Sequence, residues 1–138
     1  MVRLVSGSRS LSFRVVGLTF VDAYPENVLA VGEMVDAADM KALGWTGEAD
    51  ASADVPVVLI RNPDNEHDAN AVEVHVPSLG RRRSMIGHVP RDLAERLAPS
   101  LDRGDVWHAT VAAVLVTPEH PDRPGVEVQL ERAAQVAA

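Results

Sequence analysis

Two β-branched segments on either side of a polar run constrain the fold of this chain more than any other feature. VPVVLIR spans 55–61, AVEVHV spans 71–76, and the run between them is crowded with aspartate and asparagine. β-Branched residues fit the pleated surface of a strand. In the second segment the valines alternate with Glu73 and His75, as expected for a strand with one buried face. The sequence therefore predicts two strands joined by a polar loop.

Further short segments of the same kind occupy much of the remaining chain. They are LSFRVVGLTF at 11–20, SMIGHV at 84–89, DVWHATVAAVLVTP at 105–118 and GVEVQLER at 125–132. Gly17 is expected to bend the first segment, and EHPDRP at 119–124, with its two prolines, is predicted to be a loop between the last two. Strands that mostly follow one another favour a mainly β protein, a small antiparallel barrel of about six strands with one or two short helices, over a parallel α/β sheet.

PRDLAERLA, at 90–98, is the clearest helix of the sequence. Leu93, Ala94 and Leu97 fall at helical spacing. Pro90 suits a first turn, and Pro99 is expected to end the helix.

The length and composition of the chain suit one globular domain over 1–138. It has 138 residues, 46% of them hydrophobic, and no cysteine, which excludes disulfides and cysteine-based zinc sites. No stretch approaches the roughly 20 apolar residues of a membrane span, and the N-terminus lacks the apolar run of a signal peptide. We therefore expect a soluble cytoplasmic protein with no membrane partner and a tail at 133–138 that frays.

Acidic residues are concentrated in one segment, at 22–54. Eight acidic residues accompany a single basic one there, Lys41, so this segment accounts for the whole net charge of −7. We interpret it as an insertion or lid, with DAADMKAL at 36–43 as its one short helix. The rest of the chain is neutral, and six arginines fall between 81 and 103, so a local basic face is expected despite the acidic total.

The polar run does not fit a metal site or an enzyme motif. A helix–loop–helix calcium site needs glycine at its sixth position and glutamate at its twelfth, where this run has Ala69 and His75. The five histidines show no pair four apart on a helix, and the chain has no Gly-x-Ser-x-Gly or phosphate-binding glycine motif. We therefore expect no metal, no cofactor and no catalytic residue.

Most of the polar run is predicted to be a loop that supports itself. Asparagine and aspartate side chains accept hydrogen bonds from backbone amides two residues further on, which gives Asn62, Pro63, Asn65 and Asn70 a structural explanation. Asp68 differs, because it is an acceptor that the turn does not obviously need.

The run resembles the HIRAN domain, together with VVGLTF before it and IGHVPRDLAERLAPSLDRG after it. That family has an Arg-x-Pro-x-Asn-x-x-Asp-x-Asn-Ala core followed by Gly-His/Tyr-x-Pro before a helix. The chain matches this pattern at Arg61, Pro63, Asn65, Asp68, Asn70, Ala71, Gly87, His88 and Pro90. The similarity extends from about Phe13 to Leu130, and it assigns Arg61 to the structural part of the loop.

The resemblance implies an OB-like barrel that captures the 3′-hydroxyl end of single-stranded DNA. It puts Phe20 where an aromatic ring stacks on a base, and His67 where a second ring would cover that base. It puts Asp68 where a carboxylate accepts the hydrogen bond of the terminal hydroxyl. His88 and Arg91 fall where side chains hold the phosphates, and Arg91 also begins a helix, whose N-terminus favours anions.

Two functional hypotheses follow. The first is a non-catalytic module that binds free 3′ ends of single-stranded DNA, in repair or replication-fork processing. The alternative is a regulatory module that keeps the fold without DNA affinity and binds a protein partner through residues 22–54, since the net charge is confined to that segment.

Overall fold

Six antiparallel strands and two helices form the part of the chain that the computed structural model describes, residues 10–21, 24–42, 54–80 and 84–133. The strands are β1 (Ser10–Arg14), β2 (Pro56–Arg61), β3 (Val72–His75), β4 (Met85–His88), β5 (Trp107–Thr117) and β6 (His120–Arg132). The helices are α1 (Glu26–Ala42) and α2 (Arg91–Asp102). The order of strands in the sheet is β1-β6-β5-β2-β3-β4. Neither helix is long and apolar enough to cross a membrane.

The two edges of this sheet meet and give it the form of a barrel. The backbone N–H of Val16, just after β1, donates to the carbonyl of His88 in β4, and the N–H of His88 donates to the carbonyl of Val16, both at 2.9 Å. On the other side, β2 turns a corner, since its first two residues pair with β5 and its last four with β3. The prediction of a mainly β, OB-like barrel of about six strands is confirmed.

The interior of the barrel is filled by the apolar positions that the strand patterns predict. Val72, Val74 and Val76 are fully buried around β3, and Val128 and Leu130 of β6 are buried with them. Burying one such side chain stabilises the fold by about 1.5–3 kcal/mol. The alternation seen in the sequence is therefore the main determinant of this core.

Helix α1 corrects the interpretation of the acidic segment. Residues 36–42 of the short helix predicted at 36–43 are part of a 17-residue helix that begins at Glu26. Val28 and Val31 are buried, and Val35 and Ala38 pack against the same core, so they form an apolar stripe at helical spacing. α1 packs on β5 and β6. Residues 22–23 and 43–53 of the segment, and 134–138 of the predicted tail, lie outside the described part of the chain.

Gly32, in the middle of α1, provides a test of how this helix packs. A Cβ atom there would lie 3.6 Å from Val114 of β5, an ordinary van der Waals contact. We expect Gly32→Ala to raise the free energy of unfolding by about 1 kcal/mol, because alanine is the better helix former. Gly104→Ala is the contrasting variant, since the φ angle of +91° at Gly104 strains any side chain; it should lower stability by about 1 kcal/mol. Urea denaturation measures both changes, and a destabilising Gly32→Ala would contradict this packing.

The prediction that Pro99 ends the second helix is wrong, because α2 continues to Asp102. A proline inside a helix removes one backbone hydrogen bond and costs roughly 3 kcal/mol. Contacts of the last turn oppose this cost. The Ser100 hydroxyl donates to Asp105 at 2.7 Å and accepts from the indole N–H of Trp107 at 2.9 Å. Pro90 lies one residue before the helix, whose first residue is Arg91.

The prediction of a loop at 119–124 is also wrong. β6 begins at His120, which pairs with Thr117 of β5, so only Pro118 and Glu119 separate the two strands. Prolines are tolerated where one edge of a strand needs no backbone donor. β1 pairs with β6 only at 127–131, so Pro121 and Pro124 fall where β6 has no pairing with β1.

Candidate nucleic-acid interface

The loop between β2 and β3 is held in shape by its own side chains. The side-chain oxygen of Asn65 accepts hydrogen bonds from the backbone N–H groups of His67, at 2.9 Å, and Asp68, at 3.0 Å. The Oδ1 atom of Asp68 accepts from the N–H of Asn70 at 2.9 Å, and the Asp68 carbonyl accepts from the N–H of Ala71 at 3.0 Å. These bonds fix the backbone that carries His67 and Asp68.

Arg61 joins this loop to α2. Its Nη1 atom donates to the carbonyls of Ala69 and Ala71, each at 3.0 Å. Its Nε and Nη2 atoms donate to the two carboxylate oxygens of Asp102, at 2.9 and 3.3 Å. Because these donors of Arg61 are bonded to the loop and to α2, its guanidinium fixes the position of the loop relative to the helix.

The two oxygens of Asp68 have different roles. The sequence suggested that the turn does not need this side chain, and for Oδ1 that expectation is wrong, because Oδ1 accepts the hydrogen bond of the Asn70 backbone. Among the hydrogen bonds between described residues, none reaches Oδ2. The Asp68 side chain is half-buried at the edge of a cleft. Oδ1 is therefore committed to the loop, whereas Oδ2 has no partner among the described residues.

Phe20 lies beside Gly17, a residue of the cleft lining, at the end of a tight turn. Gly17 has a φ of +74°, and the N–H of Phe20 donates to its carbonyl at 3.1 Å, which closes a single 3₁₀ turn at Leu18–Phe20. The Phe20 side chain is 90% exposed. A Cβ added to Gly17 would lie 4.0 Å from the Phe20 ring and 3.9 Å from Nδ1 of His88, so these two rings flank the same glycine. An aromatic ring this exposed is available for stacking on a flat ligand.

His88 presents one ring nitrogen to the cleft. Its Nε2 atom is buried and has no hydrogen-bond partner among the described residues. Because an N–H group buried without an acceptor is costly, the favoured neutral tautomer carries its proton on Nδ1, the atom that lies beside Gly17. In this form Nδ1–H is a donor on the side of Gly17.

Arg91 is the first residue of α2, and its side chain is exposed. The first backbone N–H groups of a helix are not used within the helix, and with the guanidinium they favour an anion at this end. Arg96 and Arg103 are also exposed on or just after α2, whereas Arg81, Arg82 and Arg83 lie outside the described residues.

These elements meet in one open cleft of about 280 Å³. It is lined by Val16, Gly17, Asn65, His67, Asp68, Ala71, His88, Val89 and Arg91. Four of the five residues predicted to bind DNA therefore line a single cleft, and the fifth, Phe20, lies beside Gly17 at its rim. Two other predicted loop residues are not in the cleft lining. Pro63 is exposed, and Asn70 supports the loop through its backbone N–H, which donates to Asp68.

Sequence reasoning missed the apolar wall formed by Val16, Ala71 and Val89. Nothing in the local pattern distinguishes these residues from core positions, because they line the cleft only through the meeting of distant strand ends. The described residues of α1 are not among those that line this cleft.

Comparison with known proteins gives a consistent result. The family model described as "HIRAN domain" matches residues 8–136. The crystal structure of the HIRAN domain of human HLTF is similar, with a TM-score of 0.53 and 19% identity, over 89% of this chain and 74% of that one. A crystal structure of a protein from Lactobacillus plantarum has a TM-score of 0.49 and 18% identity, over 89% and 96% of the two chains. No curated protein sequence matches the chain.

Proposed function

Because this chain belongs to the HIRAN domain family, we propose that it is a DNA-binding module whose cleft receives the 3′-hydroxyl end of a single strand. One observation carries the proposal. Asp68, whose Oδ2 has no hydrogen-bond partner among the described residues, lines the cleft, and the exposed ring of Phe20 lies beside Gly17 at its rim, as an acceptor and a stacking surface for one terminal nucleotide.

The terminal base stacks on Phe20, which suits any base because every base has a π-face. The ring of His67, exposed in the cleft lining, covers the other side of the base. Asp68 Oδ2 accepts the hydrogen bond of the sugar hydroxyl, and a charged acceptor makes this bond stronger than a neutral one. A 3′-phosphate would bring negative charge against the same carboxylate.

The phosphate before the terminal nucleotide lies against His88 and Arg91. There the Nδ1–H group of His88, the guanidinium of Arg91 and the N-terminus of α2 provide donors and positive charge. The cleft lining thus combines one carboxylate, Asp68, with the cationic side chain of Arg91 at the N-terminus of α2.

In this proposal the cleft binds DNA and performs no chemistry. Asp68 is the single carboxylate among its lining residues, whereas metal-dependent nucleases hold their ions with several ligands. A module of this kind would bring another activity to a free 3′ end in DNA repair or at a replication fork.

Asp68→Asn tests the role of the carboxylate. Asparagine keeps an oxygen for the Asn70 backbone and loses the charge, so the loop should persist. We expect binding of a 5′-labelled strand with a 3′-hydroxyl to weaken by about tenfold, the difference between a charged and a neutral acceptor. Fluorescence anisotropy measures this at two salt concentrations. Asp64→Asn, an exposed residue of the same loop outside the cleft lining, is the matched control. Equal affinity of wild type and Asp68→Asn would remove Asp68 from the proposal.

A groove between α1 and β5 favours the second function, a protein-interaction module. It measures about 580 Å³, and its lining combines exposed apolar side chains, Leu29 and Val116, with the carboxylates of Glu33 and Asp36. Such a surface suits a basic amphipathic helix of a partner protein. This alternative predicts no DNA binding even at low salt, together with binding of a basic amphipathic peptide that Leu29→Glu abolishes.

A further inference from the structure

A chain of hydrogen-bonded side chains lies on the outer face of β3 and β4. Glu73 and His75 are two residues apart on β3, so both point to the same face, and Ser84 immediately precedes β4. The Nδ1 atom of His75 lies 3.0 Å from the Ser84 hydroxyl, and its Nε2 atom lies 2.9 Å from Oε1 of Glu73. Asn62 donates to the other oxygen of Glu73 at 3.2 Å.

This arrangement determines which nitrogen of His75 acts as an acceptor. A carboxylate has no proton to give, so the neutral imidazole places its proton on Nε2 and donates it to Glu73. Nδ1 is then left with a lone pair directed at the hydroxyl of Ser84. A serine, a histidine that accepts its proton and an acid that orients the histidine are the parts of an activated nucleophile. Here the two ring nitrogens exchange the roles that they have in serine proteases.

We propose that Ser84 is a nucleophile that accepts acyl groups from esters or thioesters, with His75 as its base and Glu73 as the group that orients His75. The sequence motifs gave no indication of it, because the three residues come from two strands and need no Gly-x-Ser-x-Gly element. Such constellations are identified by geometry and role, since they recur on unrelated folds.

An open pocket adjoins the nucleophile and indicates the substrate class. It measures about 210 Å³ and is lined by Val58, Ile60, His75, Pro77, Gly80 and Ser84. Val58 and Ile60 are 44% and 43% exposed, so apolar surface lies uncovered beside the hydroxyl. A short apolar acyl chain fits such a lining. The pocket shares no lining residue with the DNA cleft.

The reaction is an ordinary acyl transfer. The Ser84 oxygen forms a bond to the acyl carbon while its proton passes to Nδ1 of His75, and the bond from that carbon to the leaving oxygen or sulfur then breaks as the leaving group takes the proton. Water completes the cycle: it gives a proton to His75, attacks the acyl carbon and releases the acid, and the proton returns to the Ser84 oxygen.

One candidate oxyanion donor of this pocket is already used within the fold. The backbone N–H of Gly80, in the pocket lining, donates to the Pro77 carbonyl at 3.0 Å and is not available. A missing oxyanion donor lowers turnover by about 10²–10³-fold. We therefore expect rapid acylation only by activated reagents, and slow release of the acyl group.

The test is covalent labelling of the full chain with a fluorophosphonate, followed by peptide mass spectrometry. We expect one label per chain, on Ser84. Ser78, an exposed serine outside the pocket lining, is the internal control and should label at least about 100-fold more slowly, since a general base contributes about 10²–10⁴-fold. Labelling of Ser84 no faster than that of Ser78 would overturn the proposal.

Variants separate activation of Ser84 from mere exposure. His75→Gln should slow its labelling by about 10²-fold or more, and Glu73→Gln should slow it by a smaller factor, with thermal midpoints recorded for both.

p-Nitrophenyl acetate should give a burst of one nitrophenol per chain that Ser84→Ala abolishes. Asp68→Asn should label like wild type, so that failure here is distinct from failure of DNA binding. Unchanged labelling of a folded His75→Gln variant would overturn the role of His75.

Discussion

Replacing Gly87 with alanine is expected to lower the free energy of unfolding by about 2–3 kcal/mol. A Cβ at this position would lie 2.5 Å from the carbonyl oxygen of Val16 and 2.6 Å from a methyl group of Val15. No side-chain rotation relieves a clash with a backbone oxygen, so the pairing of Val16 with His88 must open. Overpacking of this kind costs about 1–3 kcal/mol, and the pairing is the one that closes the barrel.

Urea denaturation of Gly87→Ala measures this cost. Gly125→Ala is the matched control, because a Cβ there meets nothing closer than Leu115, at 3.9 Å. Val16 and His88 of the same pairing line the cleft that we propose to bind DNA, so Gly87→Ala should also weaken DNA binding at temperatures where the protein is folded. If Gly87→Ala and Gly125→Ala changed the free energy of unfolding equally, β4 would not approach the segment after β1 as closely as described.

Phe20→Ala is expected to weaken the binding of a short single strand by roughly 5- to 150-fold, because stacking of one base on an aromatic ring contributes about 1–3 kcal/mol. The thermal midpoint should stay the same, since the side chain is 90% exposed and supports no packing. Anisotropy titration with a labelled oligonucleotide, alongside a thermal melt, measures both effects.

Two variants complete this experiment. Phe20→Trp should keep or improve affinity, because tryptophan offers a larger stacking surface. Val106→Ala removes another exposed apolar side chain, 59% exposed and outside the cleft lining, and should leave DNA affinity unchanged. An affinity that falls equally in Val106→Ala and Phe20→Ala would mean that the loss has nothing to do with stacking.

The strands of this protein could be predicted from sequence because their signal is local. The alternation of Val72, Val74 and Val76 with polar residues reports a buried face directly. Helix α1 was mostly missed for the opposite reason, since its apolar stripe is diluted by acidic residues and interrupted by Gly32. Contacts with β5 and β6 stabilise this helix, and those contacts are not visible in a local window.

Both errors at prolines have the same origin. In a short stretch of sequence, Pro99 predicts the end of a helix and Pro124 predicts a loop. In the fold, contacts of Ser100 and Asp102 hold the last turn of α2, and β6 has no pairing with β1 at Pro124. Local rules describe what a residue prefers, whereas the neighbours brought by the fold decide what it tolerates.

The candidate site could be predicted from the sequence only through its motif. The resemblance named Asp68 and His88, and the structure places both in one cleft with Arg91. It could not reveal that Asp68 divides its two oxygens between the loop and the cleft, or that Gly17 separates Phe20 from His88. The Ser84–His75–Glu73 chain had no motif at all, because its geometry is created by strand pairing.

The most direct test of the account compares two oligonucleotides that differ only at the 3′ terminus. Wild-type protein is titrated with a 5′-labelled single strand ending in a 3′-hydroxyl and with the same strand ending in a 3′-phosphate. The hydrogen bond to Asp68 Oδ2 and the repulsion that replaces it predict a preference of roughly 10- to 100-fold for the hydroxyl, and this preference should be much smaller in Asp68→Asn. Equal affinity of the wild-type protein for the two ends would contradict the capture of a 3′-hydroxyl by this cleft.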